Sequence, residues 1–193
     1  MSANFRIIND SLSSEEQKDF AVVKSKDGVS YAVKKPLILK SNLFKRMMED
    51  VAEGELVELP VDATKETLDR VFEFLDYHQE KPMKPIQKPI RGNFKDIVDE
   101  WDWNFFQNRL LVNGDERQNM ELQLVICCAN FLIIDDLRLF TCAALGSLII
   151  TKKTEAEIFD LFNARDKIKP EHWEKLYAMY PFMRPKEGEK SNE

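Results

Sequence analysis

Two consecutive helices are predicted by the stretch LVICCANFLIIDDLRLFTCAALGSLI, which spans residues 124–149. Residues 119–133 are apolar on almost every side, which is typical of a helix buried at the centre of a protein. Asp135 and Asp136 then place acidic side chains at the positive end of a second helix dipole. This second helix carries two apolar stripes, whereas one stripe suffices to cover a core. The stripes are Leu137, Phe140, Ala144 and Leu148, and Leu139, Cys142, Leu145 and Ile149.

The surplus apolar surface extends into the helices predicted after residue 150. Thr154 opens one of these helices, and Lys169-Pro170-Glu171 opens the last, with Pro at a first-turn position where its missing N–H costs nothing. Two interpretations stay open from the pattern alone. Either the apolar residues of these C-terminal helices pack together as a small helical subdomain, or one face of the helices remains open as a groove for a partner helix.

A small β-sheet is predicted upstream. Residues 20–23 and 29–33 are β-type runs separated by an Asp-Gly pair, which is a strong hairpin signal. Residues 56–59 predict a third strand, and Ser41 and Thr64 are plausible N-caps of amphipathic helices. The fold class expected is therefore α+β, with a small three-stranded sheet and helices.

The organisation expected along the chain has four parts and two loops. They are a flexible tail (1–17), a mixed domain (18–134), a C-terminal helical region (135–183) and a second flexible tail (184–193), with a Lys/Pro-rich loop (80–93) and an added loop (107–118) inside the mixed domain. The first loop follows from Pro and Lys alternation, which neither a helix nor a strand accommodates.

Composition excludes several classes of protein. The 193 residues are 44% hydrophobic with net charge -6 and pI about 5.2, so a nucleic-acid-binding surface is not expected. The longest apolar stretches are shorter than a membrane span requires, and the N-terminus lacks the positive segment of a secretory signal. The three cysteines do not have the spacing of a disulfide framework, which indicates a reducing, intracellular compartment.

Catalytic and metal-binding patterns are not found in the sequence. The two histidines, His78 and His172, have no His or Cys at ligand spacing. Cys127, Cys128 and Cys142 sit among apolar residues, where a thiol is rarely activated. We therefore expect no enzyme, no metal and no cofactor.

Acidic side chains are concentrated in one segment. Residues 41–80 hold eleven acidic and four basic side chains. The segment is either an ordinary solvated face or a negative patch that steers a basic partner.

The order of these elements resembles a BTB/POZ fold. The string WDWNFF at 101–106, the stretch 124–149 and TEAEIFDLFN at 154–163 together resemble the S-phase kinase-associated protein 1 family, and the resemblance covers about residues 19–183. It implies a BTB/POZ domain followed by C-terminal F-box-binding helices. It also implies a non-catalytic adaptor, cytoplasmic and nuclear, that links an F-box substrate receptor to a cullin in an SCF ubiquitin ligase.

The resemblance carries over specific residues. The cullin-contacting Asn-Tyr pair of the family falls on Asn130 and Phe131, so one hydroxyl is lost here. The F-box-binding residues implied by the family are Cys142, Leu145, Ile149, Ile158, Phe162, Trp173, Tyr177 and Phe182. No nucleic-acid or membrane partner is implied, and a weak homodimer is expected when the F-box site is empty.

Departures from the family leave rival interpretations. The Lys/Pro-rich loop replaces an acidic loop, and Glu155 stands where some members carry a hydroxylated Pro. One rival is an elongin C-like adaptor, which would lack the helices after about residue 150. The other is a structural or self-associating BTB protein that has lost cullin binding.

Overall fold

The computed structural model describes residues 4–49, 51, 56–90, 92–164, 167 and 169–184. The chain forms two units, residues 1–151 and residues 152–193. The first unit holds the sheet and most of the helices, and the second holds the C-terminal helices.

The sheet of the first unit has four strands, one more than the sequence predicts. They are β1 (Phe5–Ile8), β2 (Phe20–Lys24), β3 (Ser30–Lys34) and β4 (Glu58–Pro60), in the order β1-β3-β2-β4. The pairs β1–β3 and β2–β3 are antiparallel, and β2–β4 is parallel. The predicted hairpin between β2 and β3 is confirmed, and Gly28 in its turn has φ +85°, which glycine adopts without steric cost.

The structure corrects the expectation of a flexible tail over residues 1–17. Residues 5–8 form β1 on the edge of the sheet, and α1 follows at Glu16–Asp19. Leu12, between them, is 5% exposed and packs with Val22 and Ala32. The sequence alone does not indicate this strand, because the segment is short and largely polar and β1 pairs only once β3 supplies the other half of the ladder.

Seven further α-helices of the first unit lie within the described residues. They are α2 (Lys35–Ile38), α3 (Asn42–Glu49), α4 (Lys65–Glu80), α5 (Phe94–Ile97), α6 (Glu100–Phe105), α7 (Met120–Phe131) and α8 (Asp135–Ile150), and a π-helical turn (Phe106–Leu110) follows α6. Thr64 caps α4 as predicted, because its side chain accepts from the Thr67 N–H. Helices α5 and α6 are separated at Val98, whose backbone is extended.

The core between the long helices is aromatic. Phe74 of α4 lies 5.4 Å from Phe140 of α8 and 5.8 Å from Phe105 of α6, between ring centroids. Since α8 packs on α4 and α7, it belongs to the first unit. The structure thus moves the predicted boundary from residue 134 to residue 151.

The second unit contains α9 (Glu155–Leu161), α10 (Pro170–Met179) and a short 3-10 helix (Pro181–Met183). Both predicted helix starts are confirmed, and Thr154 and Glu157 form a capping box at α9. The aromatic rings of Phe159 and Trp173 lie 6.1 Å apart. Of the predicted C-terminal tail, only Arg184 lies within the described residues, and it donates to Glu174 at 2.9 Å.

Candidate functional site

Helix α7 leaves part of its apolar surface accessible, contrary to the expectation of a centrally buried helix. Leu122, Val125, Cys128 and Ala129 are buried. Leu124 is 40% exposed and Phe131 is 55% exposed, and Cys127 is also exposed. These three side chains, at i, i+3 and i+7, share one side of the helix and are called the α7 face below. Helical periodicity identified the apolar residues but could not show that the neighbouring elements cover only one side.

The α7 face borders a groove of about 310 Å³. The opposite wall is the segment Val61–Thr64, which joins β4 to α4. At the rim, the Lys26 ammonium lies 2.8 Å from the Asp62 carboxylate, and both side chains are mostly exposed. The groove therefore has an apolar floor and a charged rim, which suits the apolar face of an amphipathic helix from another protein.

The end of α7 is held rigidly. Ile134 N–H donates to the Ala129 carbonyl at 2.9 Å, and Ile133 N–H donates to the Asn130 carbonyl at 3.3 Å, which is a Schellman arrangement. Ile133 has φ +53°, a left-handed conformation that is costly for a β-branched residue. Asn42 N–H, at the start of α3, donates to the Ile133 carbonyl at 3.2 Å.

These contacts place the two residues expected to bind a cullin on a fixed corner. Asn130 and Phe131 are both exposed and lie in the last turn of α7. Sequence reasoning missed Leu124 and Cys127 beside them, and the signal that could have found both is the apolar excess on α7. The assignment of Asn130 and Phe131 to cullin binding stays a prediction.

The buried thiol beside this groove, Cys128, is held in its protonated form. Burial raises the pKa of the Cys128 thiol to about 12, and the neighbouring Cys127 adds to the effect. A thiol with this pKa stays protonated at neutral pH and is a poor nucleophile.

Helix α8 separates its two stripes as the sequence suggested. Leu137, Phe140, Ala144 and Leu148 are buried. On the other stripe, Cys142 is exposed, while Leu145 and Ile149 are half-buried. These last three residues, called the α8 face below, are three of the predicted F-box contacts. Within the first unit, the second stripe therefore remains accessible.

The remaining predicted F-box residues lie in the second unit. Ile158 and Phe162 are half-buried at α9, and Trp173 and Tyr177 are half-buried on α10. The Trp173 and Tyr177 rings stack at 5.9 Å, and Phe182 is 84% exposed. Aromatic side chains that stay accessible in this way are typical anchors of protein interfaces.

One buried polar pair was not foreseen from the sequence. His78 Nε2 lies 2.9 Å from Asp102 Oδ1, and the two side chains are 7% and 1% exposed. His78 Nδ1 donates to the Lys81 carbonyl at 2.7 Å, because a carbonyl oxygen only accepts. The histidine therefore links the end of α4 to α6.

The described residues contain neither a cluster of metal-ligating side chains nor a helix that could span a membrane. No group of three or more His, Cys, Asp or Glu side chains among them is placed to hold a metal ion. Among the same residues, every helix is too short or too polar to cross a membrane.

Comparison with known proteins identifies the family. Residues 19–80, from the last residue of α1 to the end of α4, match the Skp1 family tetramerisation domain. The chain is 30% identical over 153 residues to an Aspergillus flavus protein named E3 ubiquitin ligase complex SCF subunit sconC. The aligned region covers 79% of this chain and 88% of the relative. The chain belongs to the Skp1 family.

Other relatives carry the same name. The Aspergillus terreus protein is 30% identical over 156 residues (80% of this chain and 90% of the relative). The Talaromyces marneffei protein is 27% identical over 155 residues, with the same shares. Strand β1, the strand that the sequence did not predict, precedes the residues that match the Skp1 domain and lies outside that match. The BTB/POZ fold expected from the sequence is confirmed.

Proposed function

We propose that this Skp1-family protein is a non-catalytic adaptor of an SCF-type ubiquitin ligase, which links an F-box substrate receptor to a cullin. The supporting observation is that one unit presents two separate accessible apolar faces, on α7 and on α8. Relatives that align over most of their length are named SCF subunits. An adaptor needs two independent binding surfaces on one rigid body, and it needs no reactive group.

The α7 face is assigned to the cullin. Its groove offers apolar side chains for a helix, while the Lys26–Asp62 pair at the rim provides polar contacts. Phe131 retains the aromatic anchor of the family but not its hydroxyl, so the contact depends on apolar burial instead of a hydrogen bond. The segment of residues 41–80, rich in acidic groups, favours a partner with a basic surface.

The α8 face is assigned to the F-box. Cys142, Leu145 and Ile149 recur at helical spacing and are only partly covered. The F-box contacts expected in the second unit, among them Trp173 and Tyr177, stay a prediction. Substrates are then held near the ubiquitin-transfer machinery by geometry alone.

Paired charge substitutions test both assignments. We expect Asn130→Lys with Phe131→Lys to weaken cullin binding at least about 100-fold, because unpaired charges at the centre of an interface cost several kcal/mol. F-box binding should be unchanged. Leu145→Asp with Ile149→Asp should give the opposite result. Titration calorimetry with a purified cullin N-terminal domain and an F-box protein measures both affinities.

A matched control is available on the same unit. Val112→Lys with Met120→Lys changes two apolar side chains that are 45% and 61% exposed and lie outside the α7 groove and the α8 face. This control should keep both affinities. Each test variant also serves as its own folding control through the partner that it still binds. The wild-type chain is also tested for binding to cullins. If it binds F-box proteins fully but binds no cullin, the result favours the alternative of a structural or self-associating protein.

A further inference from the structure

The Lys/Pro-rich segment forms a local basic surface on an acidic protein. Residues 81–95, called the basic loop below, contain five basic residues and no acidic one. The basic residues are Lys81, Lys84, Lys88, Arg91 and Lys95, of which Arg91 lies outside the described residues. The whole chain has net charge -6, so this segment opposes the charge of the rest.

Contacts with the rest of the fold hold the described residues of the basic loop, 81–90 and 92–95, at several points. At its start, the Lys81 carbonyl accepts from His78. In the middle, Ile86 is only 8% exposed. Ile90 packs against α8 at Gly146. A Cβ atom added to this glycine would lie 3.7 Å from Ile90 Cδ1, which is van der Waals contact. At its end, the Asn93 side chain accepts from the Lys95 N–H and caps α5. A loop ordered in this way loses little further entropy on binding.

The charges of the basic loop are not neutralised within the described part of the chain. Lys84, Lys88 and Lys95 are exposed, and none of the three forms an ion pair with a described residue. By contrast, Lys24 and Lys65 lie 2.6 Å from carboxylates. The unpaired ammonium groups therefore remain available to an external anion.

A cleft beside these lysines adds apolar surface. Its volume is about 450 Å³, and it is lined by Lys84, Pro85, Gln87, Lys88, Pro89, Asp96 and Ile97. The lining combines two lysines and one carboxylate with proline and isoleucine side chains, so basic groups outnumber acidic ones. Such a surface fits a peptide that carries carboxylates together with an apolar side chain.

We propose that the basic loop is a docking surface for an acidic protein segment, separate from the α7 and α8 faces. Charge complementarity selects the partner, because Lys84, Lys88 and Lys95 present exposed ammonium groups without an ion-pair partner among the described residues. Nucleic acid is the less suitable polyanion, since its phosphates extend well beyond a patch of this length and would meet the acidic surface. The proposal does not depend on cullin or F-box binding.

A peptide titration tests this proposal. The probe is a fluorescent peptide of about 12 residues, in which Glu and Asp alternate with Pro and Leu, and its anisotropy is followed as the full-length protein is added. The variant Lys84→Glu, Lys88→Glu, Lys95→Glu should bind the peptide at least about tenfold more weakly than wild type. Raising the salt concentration should weaken wild-type binding in the same direction.

The control variant reverses the same number of charges elsewhere. Lys18, Lys40 and Lys45 are exposed and are also without ion pairs among the described residues, so their change to Glu gives the same net charge. This control should stay within about threefold of wild type. Equal losses in both variants would overturn the proposal, as would failure of the wild type to bind at millimolar peptide. Tighter binding of single-stranded RNA than of the peptide, through the same lysines, would overturn the choice of partner.

Discussion

Leu12→Ala tests whether the N-terminal segment is part of the folded protein. Leu12 is 5% exposed and contacts Val22 and Ala32 of the sheet, with Ile8, Phe20 and Leu56 partly buried around it. If the segment were an unpacked tail, as its sequence suggests, the substitution would leave the free energy of unfolding unchanged. In the folded protein, however, the substitution removes three carbon atoms from a packed cluster.

The expected loss of stability follows from this burial. At about 0.8 kcal/mol for each buried methylene-sized group, the three carbons are worth about 2.4 kcal/mol. Buried Leu→Ala changes cost about 2–5 kcal/mol, depending on how far the surroundings collapse into the cavity. Because three of the neighbours around Leu12 are only partly buried and have room to shift, we expect a value near the lower end, about 2–3 kcal/mol.

Urea unfolding measures the difference. With a slope of about 2–3 kcal/mol per molar urea, the midpoint should fall by about 1 M. Tryptophan fluorescence follows the first unit through Trp101 and Trp103 when Trp173 is replaced by Phe in every chain compared. Leu39→Ala is the matched control, because Leu39 is 43% exposed and its truncation should cost well under about 1 kcal/mol. Equal midpoints for the two variants would refute the packing of Leu12.

Two further results are expected. His78→Leu should destabilise the protein by about 3–5 kcal/mol, because it leaves the Asp102 carboxylate buried without its partner. The double variant with Asp102→Leu should recover much of this loss in urea unfolding. A double variant no more stable than the single one would contradict the reasoning. Ellman's reagent at pH 8 should modify Cys127 and Cys142 in the folded protein but not Cys128, because burial raises the pKa of Cys128 to about 12. An unfolded cysteine loses its proton near pH 8.5, so above that pH the folded chain binds more protons than the unfolded chain. The contribution of Cys128 to the free energy of unfolding therefore falls as the pH rises from about 9 to 12. Equal rates for all three thiols would contradict the burial.

Local features of the fold could be predicted because they depend on neighbouring residues. The turn at Gly28 and the caps at Thr64 and Thr154 each involve groups within a few positions of one another. A glycine that accepts positive φ, or a hydroxyl that accepts from an N–H three residues later, acts without the rest of the protein.

The candidate binding faces were predicted only in part. Two stripes on α8 indicated surplus apolar surface, and the structure shows which stripe is buried. On α7, however, the same reasoning predicted burial on all sides, whereas Leu124, Cys127 and Phe131 are accessible. Periodicity counts apolar residues around a helix, but it does not count the neighbouring elements that are available to cover them.

The sequence by itself determined the hairpin, the positions of most helices, the lack of catalytic patterns and the resemblance to the Skp1 family. Tertiary structure alone decided that β1 joins the sheet, since Phe5 pairs with Val33 across a long separation in the chain. It also decided that residues 81–90 are held against the fold, through the contact of Lys81 with His78 and of Ile90 with Gly146. Such contacts join residues far apart in sequence, and their free energy exists only once the intervening chain has folded to bring them together.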